Sequence, residues 1–211
     1  MDIADEAIEF IEDKEISDKR YYDQHYQHFD WPGGSSGATV GIGYDCGYCT
    51  PAEIEADWAG IVPDHTIAVL KEASGLKGHA AKDWVRNNCG RVSISYAEAR
   101  QEFTQREIQK WTERVRDALP NTDKLSPMSF GALVSLAYNR GCSFHLDGDR
   151  YTEMRNIHSC MCDERFEDIP DEIEAMVRLW PNSRGLRERR MQEAALFRSG
   201  LVLGGEVTSG L

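Results

Sequence analysis

The chain has no apolar run approaching the roughly 20 residues of a membrane-spanning helix. It also has no internal repeat, no low-complexity block and no proline-rich linker, so nothing in its composition marks a domain boundary. Basic residues are scarce, 24 against 36 acidic ones, for a formal net charge of −12. No basic stripe with interleaved aromatics stands out, which argues against nucleic acid as a partner. The same deficit opposes steering toward an anionic polymer; it suits a cationic polymer, or a carrier or partner protein that masks the acidic surface. The first residues, Met1-Asp2-Ile3-Ala4-Asp5-Glu6, carry neither a basic region nor an apolar run before a cleavage site. No secretory signal is expected there, so the chain leaves its cell by another route, stays inside or is a fragment of something longer.

What is present fits a compact enzyme. At 211 residues, 41% hydrophobic with five Trp, the chain can bury one sizeable core, and one domain is expected. Six cysteines invite two further readings. Cys46-Gly47-Tyr48-Cys49 with His158, Cys160 and Cys162 could supply thiolates and an imidazole to structural zinc, although the second half has poor spacing. One or two disulfides, with Cys46 and Cys49 the first pair to test, and free inert thiols are the alternatives. No metal and no cofactor is expected for the chemistry.

The punctuation is mostly helical. Asp2 is a plausible cap for a first helix running to Lys14 or Glu15. Residues 20–49 break the pattern, and a turn-rich stretch from Trp31 to Gly37 leads into a short strand pair, the only convincing β region. Thr50-Pro51-Ala52-Glu53 and Ser95-Tyr96-Ala97-Glu98 read as capping boxes, and Ser126-Pro127 opens a helix that Gly141 closes. That helix is apolar nearly all round, as a helix in the middle of a molecule should be. Residues 142–168 read as irregular, and the last helices as Asp171 to Trp180 and Arg184 to Ser199. The expected fold is α+β, mainly α. It comprises a small α/β lobe over about 1–60, a helical lobe over about 61–200, a tail over 201–211 and a substrate cleft between the lobes.

One residue disturbs the amphipathic pattern of the first helix. Ala4, Ala7, Ile8 and Ile11 follow the i, i+3, i+4, i+7 rule, and Glu15 lies on the same apolar stripe. Burial disfavours a charged carboxylate, so an inward Glu15 would hold a proton near neutral pH and could deliver it to a leaving oxygen. The plain alternative is that Glu15 frays into solvent at the helix end. Glycoside hydrolysis needs such an acid together with a second group that attacks the anomeric carbon or activates water from the other face.

These residues resemble the phage-type lysozymes, the muramidases of glycoside hydrolase family 24. Glu15 at the end of a helix, Tyr21-Tyr22-Asp23, and Thr39-Val40-Gly41-Ile42-Gly43 follow the family order. Downstream, LSPMSFGALVSLAYNRG at 125–141 is similar to the family's central helix, and GLRERRMQEAALF at 185–197 to its arginine-rich terminal helix. The resemblance implies a lysozyme-like fold and a hydrolase of peptidoglycan, cutting the β-1,4 bond between N-acetylmuramic acid and N-acetylglucosamine with inversion. It makes Glu15 the general acid, with Asp23 and Thr39 holding the attacking water, and makes Asn139 and Arg140 cleft-lining residues. A helix cap and a dipole partner are the alternative roles of those two.

The chain departs from the family pattern in three places. Fifteen residues separate Asp23 from Thr39, and this insertion carries His25, His28, Asp30 and Trp31. The acid is usually followed by Gly and here by Ile16. Asp45 stands where many members have His or another polar residue. The candidate bases rank Asp23, then Asp45, then Asp30. Tyr22, Trp31 and Tyr44 are the aromatics nearest these groups and could stack on sugar rings, although core packing is the commoner role for any one of them. Arg184, Arg187, Arg189 and Arg190 could meet wall carboxylates or pair with acidic neighbours.

The expected activity is therefore that of a bacteriolytic lysozyme, either an endolysin or an antibacterial effector toxin. It would be a monomer acting in the bacterial periplasm or cell wall, reached through a holin pore or a secretion system, and an immunity or carrier protein could bind it. A chitosanase-like glycosidase of the same superfamily and a non-catalytic wall-binding module are the alternatives. The retained Glu15, Asp23 and Thr39 argue against the second, and the acidic balance favours the first.

Overall fold

Local hydrogen bonds that are legible in the sequence set where several helices begin. A computed structural model describes residues 3–16 and 18–205. It opens with α1 (Asp5–Ile16) and α2 (Lys19–His25), followed by strands β1 (Thr39–Val40) and β2 (Tyr44–Asp45), which pair antiparallel. Helices α3 (Pro51–Trp58), α4 (Asp64–Glu72), α5 (Gly78–Asn88) and α6 (Tyr96–Glu102) come next, and a π-helical turn (Phe103–Glu107) joins α6 to α7 (Ile108–Ala118). Finally come α8 (Pro127–Arg140), α9 (Thr152–Asp163), α10 (Ile169–Ala175) and α11 (Arg184–Gly205). Both expected capping boxes form, Thr50 with Glu53 and Ser95 with Glu98, each satisfying backbone donors that the first helical turn leaves open. Ser126 caps α8 through the Ser129 amide, and Gly141 ends it with φ 77°, a value that suits glycine. The chain is α+β and mainly helical, and among the described residues no helix is long and apolar enough to cross a membrane.

The chain forms two compact units. One is Glu12–Ile108; the other consists of the described residues of Met1–Ile11 and Gln109–Leu211. The first unit packs Tyr22, Tyr44, Trp58 and Phe103 into its core beside Ile54, Ile94 and Leu70. Trp58 and Tyr44 meet edge to face at 5.3 Å between centroids, a favoured aromatic geometry. In the second unit α8 is buried on all sides, as its sequence predicts: Phe130, Leu133, Val134 and Leu136 are each 3% exposed or less. Two glycines let backbones approach this helix. A Cβ on Gly131 would lie 2.3 Å from that of Ala7, and one on Gly200 would lie 2.2 Å and 2.3 Å from the Ser126 and Ser129 hydroxyls.

Three sequence expectations change. Helix α2 occupies part of the stretch read as irregular, capped by Asp18, whose side chain accepts from the Tyr21 amide. Helix α9 occupies part of 142–168; its apolar face is Met154, Ile157, Cys160 and Met161 at helical spacing, so Cys160, read from sequence as a possible zinc donor, packs in the core. Helix α11 continues through Gly200, where the sequence suggests a stop, because that glycine serves close packing on α8. The proposed Asp2 cap and residues 206–211 of the expected tail lie outside the described residues, while 201–205 are helical.

Candidate active site

The hairpin is built by its glycines. Thr39 pairs with Asp45 and Val40 with Tyr44, and Gly41 and Gly43 turn the chain between them at φ 64° and 75°. On its other side Thr39 faces Asp30, and the two exchange backbone hydrogen bonds of 2.8 and 2.9 Å. Directly opposed residues of an antiparallel pair project to the same face. Asp30 and Thr39 accordingly meet in one pocket of about 210 Å³, which Glu15, Tyr26 and His28 also line. Glu15 and Thr39 are half-buried there, while Asp30 and His28 are exposed. The His28 Nδ1 lies 2.6 Å from the Val92 carbonyl oxygen. Burial, then Tyr21, then the charges of Asp30 and Glu15 hold the Tyr26 phenol above its ordinary pKa.

The residues singled out from sequence thus fall into different places. Glu15, Asp30 and Thr39 come together. Asp23 does not line this pocket: it sits exposed on α2, ion-paired with Lys19 one turn back and within 3.4 Å of Gln27, and the Lys19 ammonium holds its carboxyl below the usual range. The sequence reading placed Asp23 in a loop, and the helix turns it outward. Asp45 is occupied as a staple, its two oxygens each accepting from a backbone amide at 2.9 Å, Gly37 and Gly47. There is no room for other residues at those glycines, since a Cβ on Gly37 would lie 2.6 Å from the Gly47 backbone.

The nearby aromatics are committed to the core or to neighbours. Tyr44 is buried and its hydroxyl donates to Asp57 at 2.7 Å; burial first, then its partners Cys49 and Asp57, push its pKa far up. Tyr22 is buried too, its hydroxyl donating to the Ile94 carbonyl. Trp31 donates to the Ser36 carbonyl and lies under the Lys82 ammonium.

Asn139 and Arg140 belong to the other unit. Asn139 accepts from Arg190, and Arg140 donates to the Arg150 carbonyl and stacks on Trp180 at 5.1 Å. Of the four terminal arginines, Arg184 pairs with Glu188, and Arg189 and Arg190 pair with Glu193, as the pairing alternative had it. A wider open depression of about 490 Å³, with Arg184, Arg187 and Met191 on its wall, has Glu188 as its one acidic residue. None of the six cysteines, all among the described residues, is in a disulfide. Cys46 turns into the core and the Cys49 thiol donates to the Asp45 carbonyl, so the side chains of the candidate disulfide go separate ways. Those two cysteines lie in one unit and the cysteines of α9 in the other.

One cluster was not legible in the sequence. Asp57, Glu102 and Glu107 bring carboxylate oxygens within 4.8 Å of one another, a donor set of the kind a hard cation takes. The π-helical turn does this, because Glu102 and Glu107 are five apart and an α-helix would not align them.

A family model described as a domain of unknown function (DUF8812) matches residues 10–170. The matched span contains every residue that lines the Glu15 pocket. No curated protein matches the chain.

Proposed function

We propose that this chain, which belongs to the DUF8812 family, is a lysozyme-like glycoside hydrolase that cuts the β-1,4 bond after N-acetylmuramic acid in peptidoglycan. The observation that carries the reading is the convergence of Glu15, Asp30 and Thr39 on one pocket. Glu15, half-buried, is the acid that protonates the leaving glycosidic oxygen. Asp30 is the base that takes a proton from water, replacing Asp23 in that role, and the Thr39 hydroxyl steadies the same water from the opposed strand. Attack from the face opposite the leaving group inverts the anomeric centre, and solvent then returns the two carboxyl groups to their starting states. The pocket's volume lies below the range usual for a drug-sized ligand, which suits one sugar ring with its attacking water rather than a whole strand.

The substrate lies in the bacterial wall, so the enzyme acts there after delivery through a membrane pore or a secretion system. The charge of −12 favours one second reading, a chitosanase-like activity on a cationic glycan.

The test is mass spectrometry of soluble fragments released from purified peptidoglycan by the wild type, Glu15→Gln and Asp30→Asn. Fragments with reducing-end N-acetylmuramic acid from the wild type, and their loss in both variants, are expected. Release of the same fragments by Glu15→Gln would remove Glu15 as the acid. No release from peptidoglycan, with release from chitosan, would turn the reading to the second substrate.

A further inference from the structure

His158 and Cys162 of α9, which the pocket does not use, lie together on the second unit, Cys162 at its surface. His158 and Cys162 are one turn apart on α9, four residues along one face, a spacing at which two side chains can hold one metal ion. The Cys162 Sγ lies 3.7 Å from His158 Nδ1 and 3.9 Å from Nε2. A tetrahedral zinc ion bound at its usual Zn–S and Zn–N lengths sets sulfur and nitrogen about 3.5 Å apart. The pair is therefore spaced close to what two ligands of one ion require.

A third donor stands beside His158. The ring of His145 meets that of His158 at 4.3 Å between centroids. The segment that carries it is held on both sides: Phe144 is buried in the core, and Arg155 of α9 donates to the carbonyls of Leu146 at 2.6 Å and Gly148 at 3.0 Å. His145 is exposed, so its imidazole can rotate toward the ion without disturbing the core. We propose that His145, His158 and Cys162 form a surface site for a borderline-soft divalent cation, Zn²⁺ in the first instance, with water in the fourth position. One thiolate and two imidazoles select such an ion over Mg²⁺ or Ca²⁺, which prefer oxygen. Bound there, the ion clips the segment before α9 onto that helix. This site is independent of the Glu15 pocket and of what that pocket cleaves.

The test is a titration of the full chain with Co²⁺ as a spectroscopic stand-in for zinc, under a non-thiol reductant. The wild type is expected to give a thiolate-to-cobalt charge-transfer band and tetrahedral d–d bands that saturate at one equivalent and vanish when Zn²⁺ is added. Cys162→Ser should lose the charge-transfer band while keeping the wild-type circular dichroism. His145→Gln should weaken binding by at least about tenfold, the loss seen when even an outer partner of a metal ligand is removed. Cys89→Ser, which alters another exposed thiol, should change nothing. Absence of the band in the wild type overturns the proposal. So does a band that survives Cys162→Ser, since the metal would then sit on other cysteines; so does unchanged affinity in His145→Gln, a variant that leaves α9 itself untouched.

Discussion

Replacing Asp45 by alanine separates a staple from a catalyst. The substitution removes the acceptor of two backbone amides, Gly37 and Gly47, each bound at 2.9 Å. A hydrogen bond to a carboxylate is worth about 1.5–3 kcal/mol, and a buried donor left without one costs a similar amount. Both glycines are buried, but Asp45 itself is only half-buried, so water reaches part of the gap and the sum is discounted to about 2–4 kcal/mol. The backbones cannot close up to compensate, because a Cβ on Gly37 would already stand 2.6 Å from Gly47. Urea unfolding followed by tryptophan fluorescence measures the loss, fitted with two transitions allowed because the chain has two compact units. Asp45→Asn, which keeps one acceptor oxygen but turns an amide toward the other N–H, should fall between alanine and wild type. A loss under about 0.5 kcal/mol in the alanine variant would refute the staple. A fully stable asparagine variant without turnover would restore Asp45 to the chemistry.

Other outcomes follow from the same geometry. Asp30→Asn is expected to lower turnover on peptidoglycan by about 10²–10⁴, the usual worth of a positioned acid or base, whereas Asp23→Asn should leave turnover near wild type. Equal losses in the two would return the base role to Asp23. Gly200→Ala should destabilise by about 1–3 kcal/mol in thermal unfolding, although alanine normally improves a helix interior, because the added Cβ meets the Ser126 and Ser129 hydroxyls. A rise in melting temperature would contradict the close approach of α11 to α8. Burial, with the hydrogen bond Tyr96 donates to Glu12, raises the Tyr96 phenol from 10.0 to about 12. The folded-state value is the raised one, so this contribution to stability is complete below pH 10.0 and fades as pH climbs toward about 12. Spectrophotometric titration should show late tyrosinate formation whose amplitude near pH 12 Tyr96→Phe lowers by one residue's share; an unchanged curve would count against it.

Much of the fold could be read from local chemistry. The capping boxes of α3 and α6, the Ser126 cap and the Gly141 stop are complete within a few residues, so the sequence alone determines them. The hairpin was legible because its glycines and β-branched residues occur together. What escaped depended on context. Helix α9 has a proper apolar face of Met154, Ile157, Cys160 and Met161, but the His158, Cys160 and Cys162 interleaved with it drew a metal reading instead. Gly200 resembles a terminator until the serines of α8 are seen beneath it. In the pocket, Glu15 could be found from the helical pattern and Thr39 from the family resemblance, whereas which of Asp23, Asp45 and Asp30 lines the pocket could not. A short helix of seven residues capped by Asp18 and a backbone bridge from Asp30 to Thr39 decide which carboxylate reaches the pocket, and neither leaves a periodic trace. The convergence of Asp57, Glu102 and Glu107 was hidden for a related reason, since it requires a π-helical turn.

The contact between His28 and Val92 settles a question of protons. A carbonyl oxygen has nothing to donate, so at 2.6 Å the hydrogen must sit on Nδ1. The tautomer of the neutral ring is thereby fixed, with the lone pair on Nε2, and the imidazole stands at the pocket wall as an acceptor. A backbone carbonyl far along the chain thus decides which face of the imidazole is offered to whatever occupies the pocket, and it offers an acceptor.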